Sequence, residues 1–167
     1  MLEKCKTAKE RWGGVSEIID SWLESRQALI SSFVHLPEQS VTQNLITHLR
    51  EFCLLSTDYL SSGHFGVYDQ LIREGEEFND GSVEKAQALF PQIQKSTDFA
   101  LDFNDDYATV EDLTVQDVRT LANRLSDLGE VLEERFALED QLIAILHTSH
   151  SQVVNSDEAS STEVTAS

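Results

Sequence analysis

Apolar residues recur every three or four positions along most of this chain, the spacing that lays a stripe along one face of an α-helix. In the first such stretch they fall at Val15, Ile19, Trp22, Leu29 and Phe33, and Pro37 closes it, which predicts a helix over about residues 15–35. Gly13-Gly14 sets that helix apart from a short leading segment, Leu2 to Trp12. A second stripe, Ile46, Leu49, Cys53, Leu60, Val67 and Leu71, predicts a helix over about 41–74, with a kink or break at Ser61-Ser62-Gly63. Asn79-Asp80-Gly81 reads as a turn, and Ser82 as the cap of the next helix. The third stretch, about 82–107, carries Ile93, Ala100 and Phe103, and Pro91 within it predicts a short helix to Phe90 and a longer one after it. The fourth, about 114–147, is the longest: Val118, Leu121, Leu125, Leu128, Leu132, Phe136, Leu142 and Leu146.

Long helices with short connections predict an all-α fold: an antiparallel up-down-up-down four-helix bundle with a short N-terminal helical segment. Residues 1–148 make this domain. Residues 149–167 lack periodicity and are expected to form a disordered tail. With only 7 Gly and 2 Pro, the chain has little of the punctuation an all-β fold needs. No apolar run approaches the roughly 18 residues of a membrane span. Met1-Leu2-Glu3-Lys4-Cys5-Lys6 lacks the apolar core of a secretory signal, so a cytoplasmic location is expected.

The stripes have polar gaps. They land on Arg26 in the first helix, Thr57 and His64 in the second, Ser96 or Thr97 in the third, and Arg135 and Glu139 in the fourth. An unpaired buried charge is too costly to persist. A polar layer inside the core is therefore expected, with Glu139 paired to Arg26 or Arg135 and His64 hydrogen-bonded nearby. Such a layer raises two further readings: a metal- or small-molecule-binding bundle around Arg26, His64 and Glu139, and a bundle enzyme using Glu139 as base. Di-iron bundles need repeated Glu-x-x-His, which is absent. No nucleophile elbow or glycine-rich phosphate loop is present either. Cys5 and Cys53 lack metal-like spacing, and Cys53 reads as a small core residue. The expectation is a non-enzyme with no metal and no cofactor.

Charge then narrows the partner. Thirty acids against 12 bases give a net charge of −18. That opposes direct contact with nucleic acid or an anionic membrane, and suits either a basic protein partner or plain solubility. The charge is uneven: residues 1–36 are balanced, whereas residues 76–112 carry ten acids and two bases.

Three stretches together resemble one family. They are Trp22-Leu23-x-x-Arg26, the run Asp58-Tyr59-Leu60-Ser61-Ser62-Gly63-His64-Phe65-Gly66-Val67-Tyr68-Asp69, and Leu132-Glu133-Glu134-Arg135-Phe136-Ala137-Leu138-Glu139-Asp140-Gln141-Leu142-Ile143, with Phe90-Pro91 between them. Over about residues 1–148 they resemble the Rsd/AlgQ family of bacterial regulators of the primary sigma factor. Glu10-Arg11-Trp12-Gly13-Gly14 looks most like the AlgQ branch, and Asp69 stands where relatives usually carry Glu.

The resemblance implies an anti-sigma factor. Its partner would be the C-terminal domain of the primary sigma factor, a helix-turn-helix with a basic face that reads the −35 promoter element. By position in the matched motif, Asp58 is the leading contact. Ser61, Ser62 and Phe65 follow on the kinked segment, and Asp20 and Trp22 would line an adjacent groove. Against this, Trp22 lies on an apolar stripe and also reads as core, Asp20 also reads as a solvated surface residue, and Phe65 also reads as buried. A monomer is expected.

Overall fold

The computed structural model describes residues 8–38 and 42–155. Cys5, the start of the leading segment and residues 156–167 of the expected tail lie outside the described residues. Helix α1 spans Ala8–His35 and ends in a single tight turn, Leu36–Glu38, whose Leu36 is fully buried. Helix α2 spans Thr42–Ser62 and runs through a five-residue π-turn, Gly63–Val67, into α3, Tyr68–Phe78. After a turn come α4, Ser82–Gln87, and α5, Phe90–Tyr107. Helix α6 spans Val115–Leu146.

The long helices form an all-α four-helix bundle, and pairs of contacts give their directions. Trp22 meets Tyr59 and Phe33 meets Phe52, so α1 and α2 run antiparallel. Asn104 bonds to Thr57 and Thr97 to His64, which sets α5 against α2. Arg124 pairs with Asp106 and Arg135 with Ser96, which sets α6 against α5. Trp12 stacks on His147 while Arg26 bonds to Asp140, which returns α6 along α1. The expected stripes converge on one core containing Ile19, Leu29, Leu49, Phe52, Ile93, Phe103, Leu128 and Leu142. Cys53 is buried among them with a free thiol.

Local chemistry explains the ends. Thr114 caps α6 with a capping box: its hydroxyl accepts from the Asp117 amide, and the Asp117 carboxylate accepts from the Thr114 amide. Pro91 sits in the first turn of α5, where its missing N–H costs nothing, and the break falls at Ala88-Leu89. Asn79 and Gly81 both take positive φ, at 45° and 84°, which makes the reversal between α3 and α4.

Four expectations change. Gly13-Gly14 does not separate a leading segment, because α1 runs unbroken through both. Two glycines in a helix cost about 1 kcal/mol each, but Trp12 beside them is anchored: its indole stacks on His147 and donates to the His147 carbonyl. Ser82 is the first residue of α4 rather than its cap, and Asp80 accepts its amide instead. Val118 is 36% exposed, since the first turn of α6 projects past its neighbours. Finally, helical structure continues past residue 148: a tight turn, Thr148–His150, runs on helically to residue 155. The buried His150 ring stacks on Phe78 and bonds to Asp80, and Val154 is also buried.

Candidate functional site

Polar gaps from all four stripes meet at mid-height in the bundle, except Thr57, which is exposed and bonds to Asn104 and the Cys53 carbonyl instead. Glu139 is wholly buried at their centre. Tyr59 donates to its Oε1 at 2.6 Å and Tyr68 donates to its Oε2. Arg135 Nε lies 3.4 Å from Oε2 and Arg26 Nη2 3.6 Å from Oε1. Arg135, one turn back on α6, spends its remaining donors on the Ser96 hydroxyl at 2.9 Å, the Thr97 hydroxyl at 2.5 Å and the Tyr68 oxygen at 2.9 Å. Arg26 donates to the Tyr59 oxygen at 3.0 Å and to Asp140 at 2.6 Å, and lies between the Trp22 and Phe136 rings. Two guanidiniums thus face two carboxylates, and the group is neutral overall.

Burial pushes the Glu139 carboxyl above its ordinary value, against the pull of Arg135, the two phenol bonds and Arg26. Burial, reinforced by Glu139, raises both phenols well beyond the usual tyrosine range, so both remain neutral donors. His64 sits at the edge of the layer, with Nε2 2.7 Å from the Thr97 hydroxyl. Burial and then the Arg135 charge lower it, which keeps the ring neutral at physiological pH. Both carboxylate oxygens of Glu139 thus accept a phenol hydrogen bond, while Arg26 Nη2 and Arg135 Nε reach it only at ion-pair distance. Among the described residues no group of three or more His, Cys, Asp or Glu side chains is placed to hold a metal ion. Neither the metal reading nor the Glu139-as-base reading gains support from this arrangement.

The outer side of the same segment is different. Asp58, Ser61 and Ser62 are exposed at the end of α2. Phe65, in the middle of the π-turn, is 85% exposed, so it is not a core residue. Leu54, one turn before Asp58, is 68% exposed. Spacings of four, three and four place Leu54, Asp58, Ser61 and Phe65 on one stripe. Between this stripe and α5 lies a cleft of about 400 Å³, lined by Thr57, Leu60, Ser61, His64, Phe65, Gln94, Thr97 and Leu101. π-Turns are rare and frequently mark functional positions.

Trp22 does not line a surface groove. It is 3% exposed, stacks on Tyr59 and donates to the Tyr59 carbonyl, so it is core. Asp20 is exposed on α1, about 200° around the helix from Trp22. Sequence reasoning missed Tyr59 and Tyr68, although both lie inside the run Asp58–Asp69. A polar tip on a stripe opposite a buried glutamate was the available signal. It missed Leu54 altogether, since a leucine in a helix carries no sign of which way it faces.

The family model described as "Regulator of RNA polymerase sigma(70) subunit, Rsd/AlgQ" matches residues 1–147. The chain belongs to the Rsd/AlgQ family. It is 36% identical over 163 residues to the "Regulator of sigma D" of Enterobacter sp. (strain 638), covering 94% of this chain and 96% of that protein. It is 35% identical over 149 residues to the "Regulator of sigma D" of Yersinia pseudotuberculosis serotype O:1b (strain IP 31758), covering 86% and 87%. A third relative of the same name, from Yersinia enterocolitica serotype O:8, is 34% identical over 148 residues. No solved structure matches. This Rsd/AlgQ protein is thus a member of a family of transcription regulators, not of enzymes. No helix among its described residues is long and apolar enough to cross a membrane.

Proposed function

We propose that this chain is an anti-sigma factor of the cytoplasm, which as a monomer binds the C-terminal domain of the primary sigma factor. Binding covers the surfaces that domain uses for the −35 promoter element and for core RNA polymerase. Alternative sigma factors then compete better for the polymerase. The observation that carries the reading is the exposed stripe of Leu54, Asp58, Ser61 and Phe65 beside the cleft. Exposed large apolar residues next to a lone acid suit a basic helix-turn-helix surface: the aromatic supplies contact area and the carboxylate meets an arginine or lysine.

Ser62, adjacent on the same turn, adds a further polar contact, and Asp20 extends the acidic surface from α1. The net charge of −18 opposes direct contact with DNA and supplies a steering field rather than specificity. Titration against the isolated sigma C-terminal domain at low and high salt tests the reading. One-to-one binding that weakens severalfold as the Debye length shrinks is expected. An absence of binding at low salt refutes it.

A further inference from the structure

The π-turn and the buried polar layer are parts of one device. The Tyr68 amide donates to the Gly63 carbonyl, the five-residue link that defines the wide turn. Gly63 is buried and faces the core. In an uninterrupted α-helix, Tyr68 would then point about 140° away from the core direction. One extra residue in the turn brings it back to about 40°. Only then does its hydroxyl reach Glu139 and accept from Arg135. Gly63 completes the fit, since a Cβ there would lie 3.1 Å from the Tyr68 ring carbon and hydroxyl. His64, inside the turn, packs edge-on against the Tyr68 ring and is tied to Thr97. Phe65 occupies the centre of this turn and makes no hold of its own on the core.

We propose that Tyr68 and Glu139 are positioning residues for Phe65: their hydrogen bond stabilises the extra residue in the turn and thereby sets the direction in which Phe65 leaves the helix. The proposal rests on the reading of Phe65 as a partner contact. Without the bond nothing draws the Tyr68 side chain toward Glu139, so the wide turn opens more often and its Tyr68–Gly63 link breaks. Phe65 then samples more than one direction.

Residue-resolved amide exchange on the full chain tests the turn with no partner present. Tyr68→Phe keeps the ring and removes only the hydroxyl. The position-68 amide is expected to exchange about tenfold faster or more, while the Leu49 and Leu128 amides change by less than about twofold. Unchanged protection at position 68 overturns the proposal. Uniform acceleration at all three positions also overturns it, because the hydroxyl then supports the bundle as a whole. Glu139→Gln keeps a neutral acceptor and gives a second reading, with a smaller local effect in the same direction, should Tyr68→Phe not fold.

Titration against the sigma C-terminal domain then tests the consequence. Phe65→Ala is expected to cost much less affinity in the Tyr68→Phe background than in the parent, since contacts acting through one element are not additive. Fully additive losses overturn the positioning role. If the parent chain does not bind that domain, the contact reading fails, and the exchange result still decides what holds the turn.

Discussion

Arg135 and Glu139 lie one helical turn apart on α6, both wholly buried, with 3.4 Å between Nε and Oε2. Other groups complete the pair: two phenols donate to the carboxylate, and the Ser96, Thr97 and Tyr68 hydroxyls accept from the guanidinium. Removing one charge leaves the other buried and unpaired, which costs about 3–5 kcal/mol. Glu139→Ala is therefore expected to destabilise the chain by about that much in chemical denaturation. Glu139→Gln is expected to cost less, because an amide oxygen still accepts from Tyr59. Equal losses for the two variants would show that the phenol bonds contribute nothing.

The surface stripe and the core beneath it separate binding from folding. Asp58→Ala and Phe65→Ala are each expected to weaken sigma binding by about 2 kcal/mol, the size of a hot-spot contact, with the melting temperature nearly unchanged. Trp22→Ala is expected to behave oppositely, losing about 3–5 kcal/mol of stability through the cavity it leaves against Tyr59. Titration and thermal melting on the same three variants check both halves.

Gly63 is packed rather than flexible. A methyl at this position meets the Tyr68 ring at 3.1 Å, with Trp22 at 3.4 Å behind it. Gly63→Ala is expected to destabilise by about 1–3 kcal/mol through overpacking, despite the better helix propensity of alanine. By contrast Gly66, with nothing within 4 Å of its Cβ position, is expected to tolerate alanine or gain slightly. Denaturant melts of the two variants decide between packing and propensity.

The segment after α6 depends on pH through Asp80. Hydrogen bonds from Ser82 and then His150 hold the Asp80 carboxyl well below the usual aspartate value. A depressed carboxylate contributes its stability fully above the unfolded value of 3.8 and loses it as pH falls further. Protease sensitivity of residues 148–155 is thus expected to rise between about pH 5 and about pH 2. Asp80→Asn is expected to flatten that dependence. A slope identical to the parent would place the sensitivity elsewhere.

Cys53 is shielded. Burial pushes its thiol up to about 12, so almost none is thiolate at neutral pH. Alkylation followed by peptide mapping is expected to leave Cys53 unmodified in the native chain and to label it fully in denaturant. Rapid native labelling would mean that α2 opens readily.

The sequence by itself determined the helices, their apolar faces, the Pro91 break and the polar positions destined for the core, because a 3.6-residue period and a few caps are local information. Motif spacing also carried Asp58 and its neighbours, and with them the family. Contacts distant in sequence decided the rest. Gly13 and Gly14 stay helical because Trp12 lies against His147, more than a hundred residues away. Residues 149–155 continue helically because His150 finds Phe78 and Asp80. Trp22 and Phe65 are both aromatic residues of the matched motif, yet one is sealed under Tyr59 and the other stands in solvent. Tyr68, in the same motif, is sealed as well, through one extra residue in the turn after α2 whose partners lie on α5 and α6. No local pattern contains that residue's cause, since it is a bond to Glu139, seventy-one residues further along.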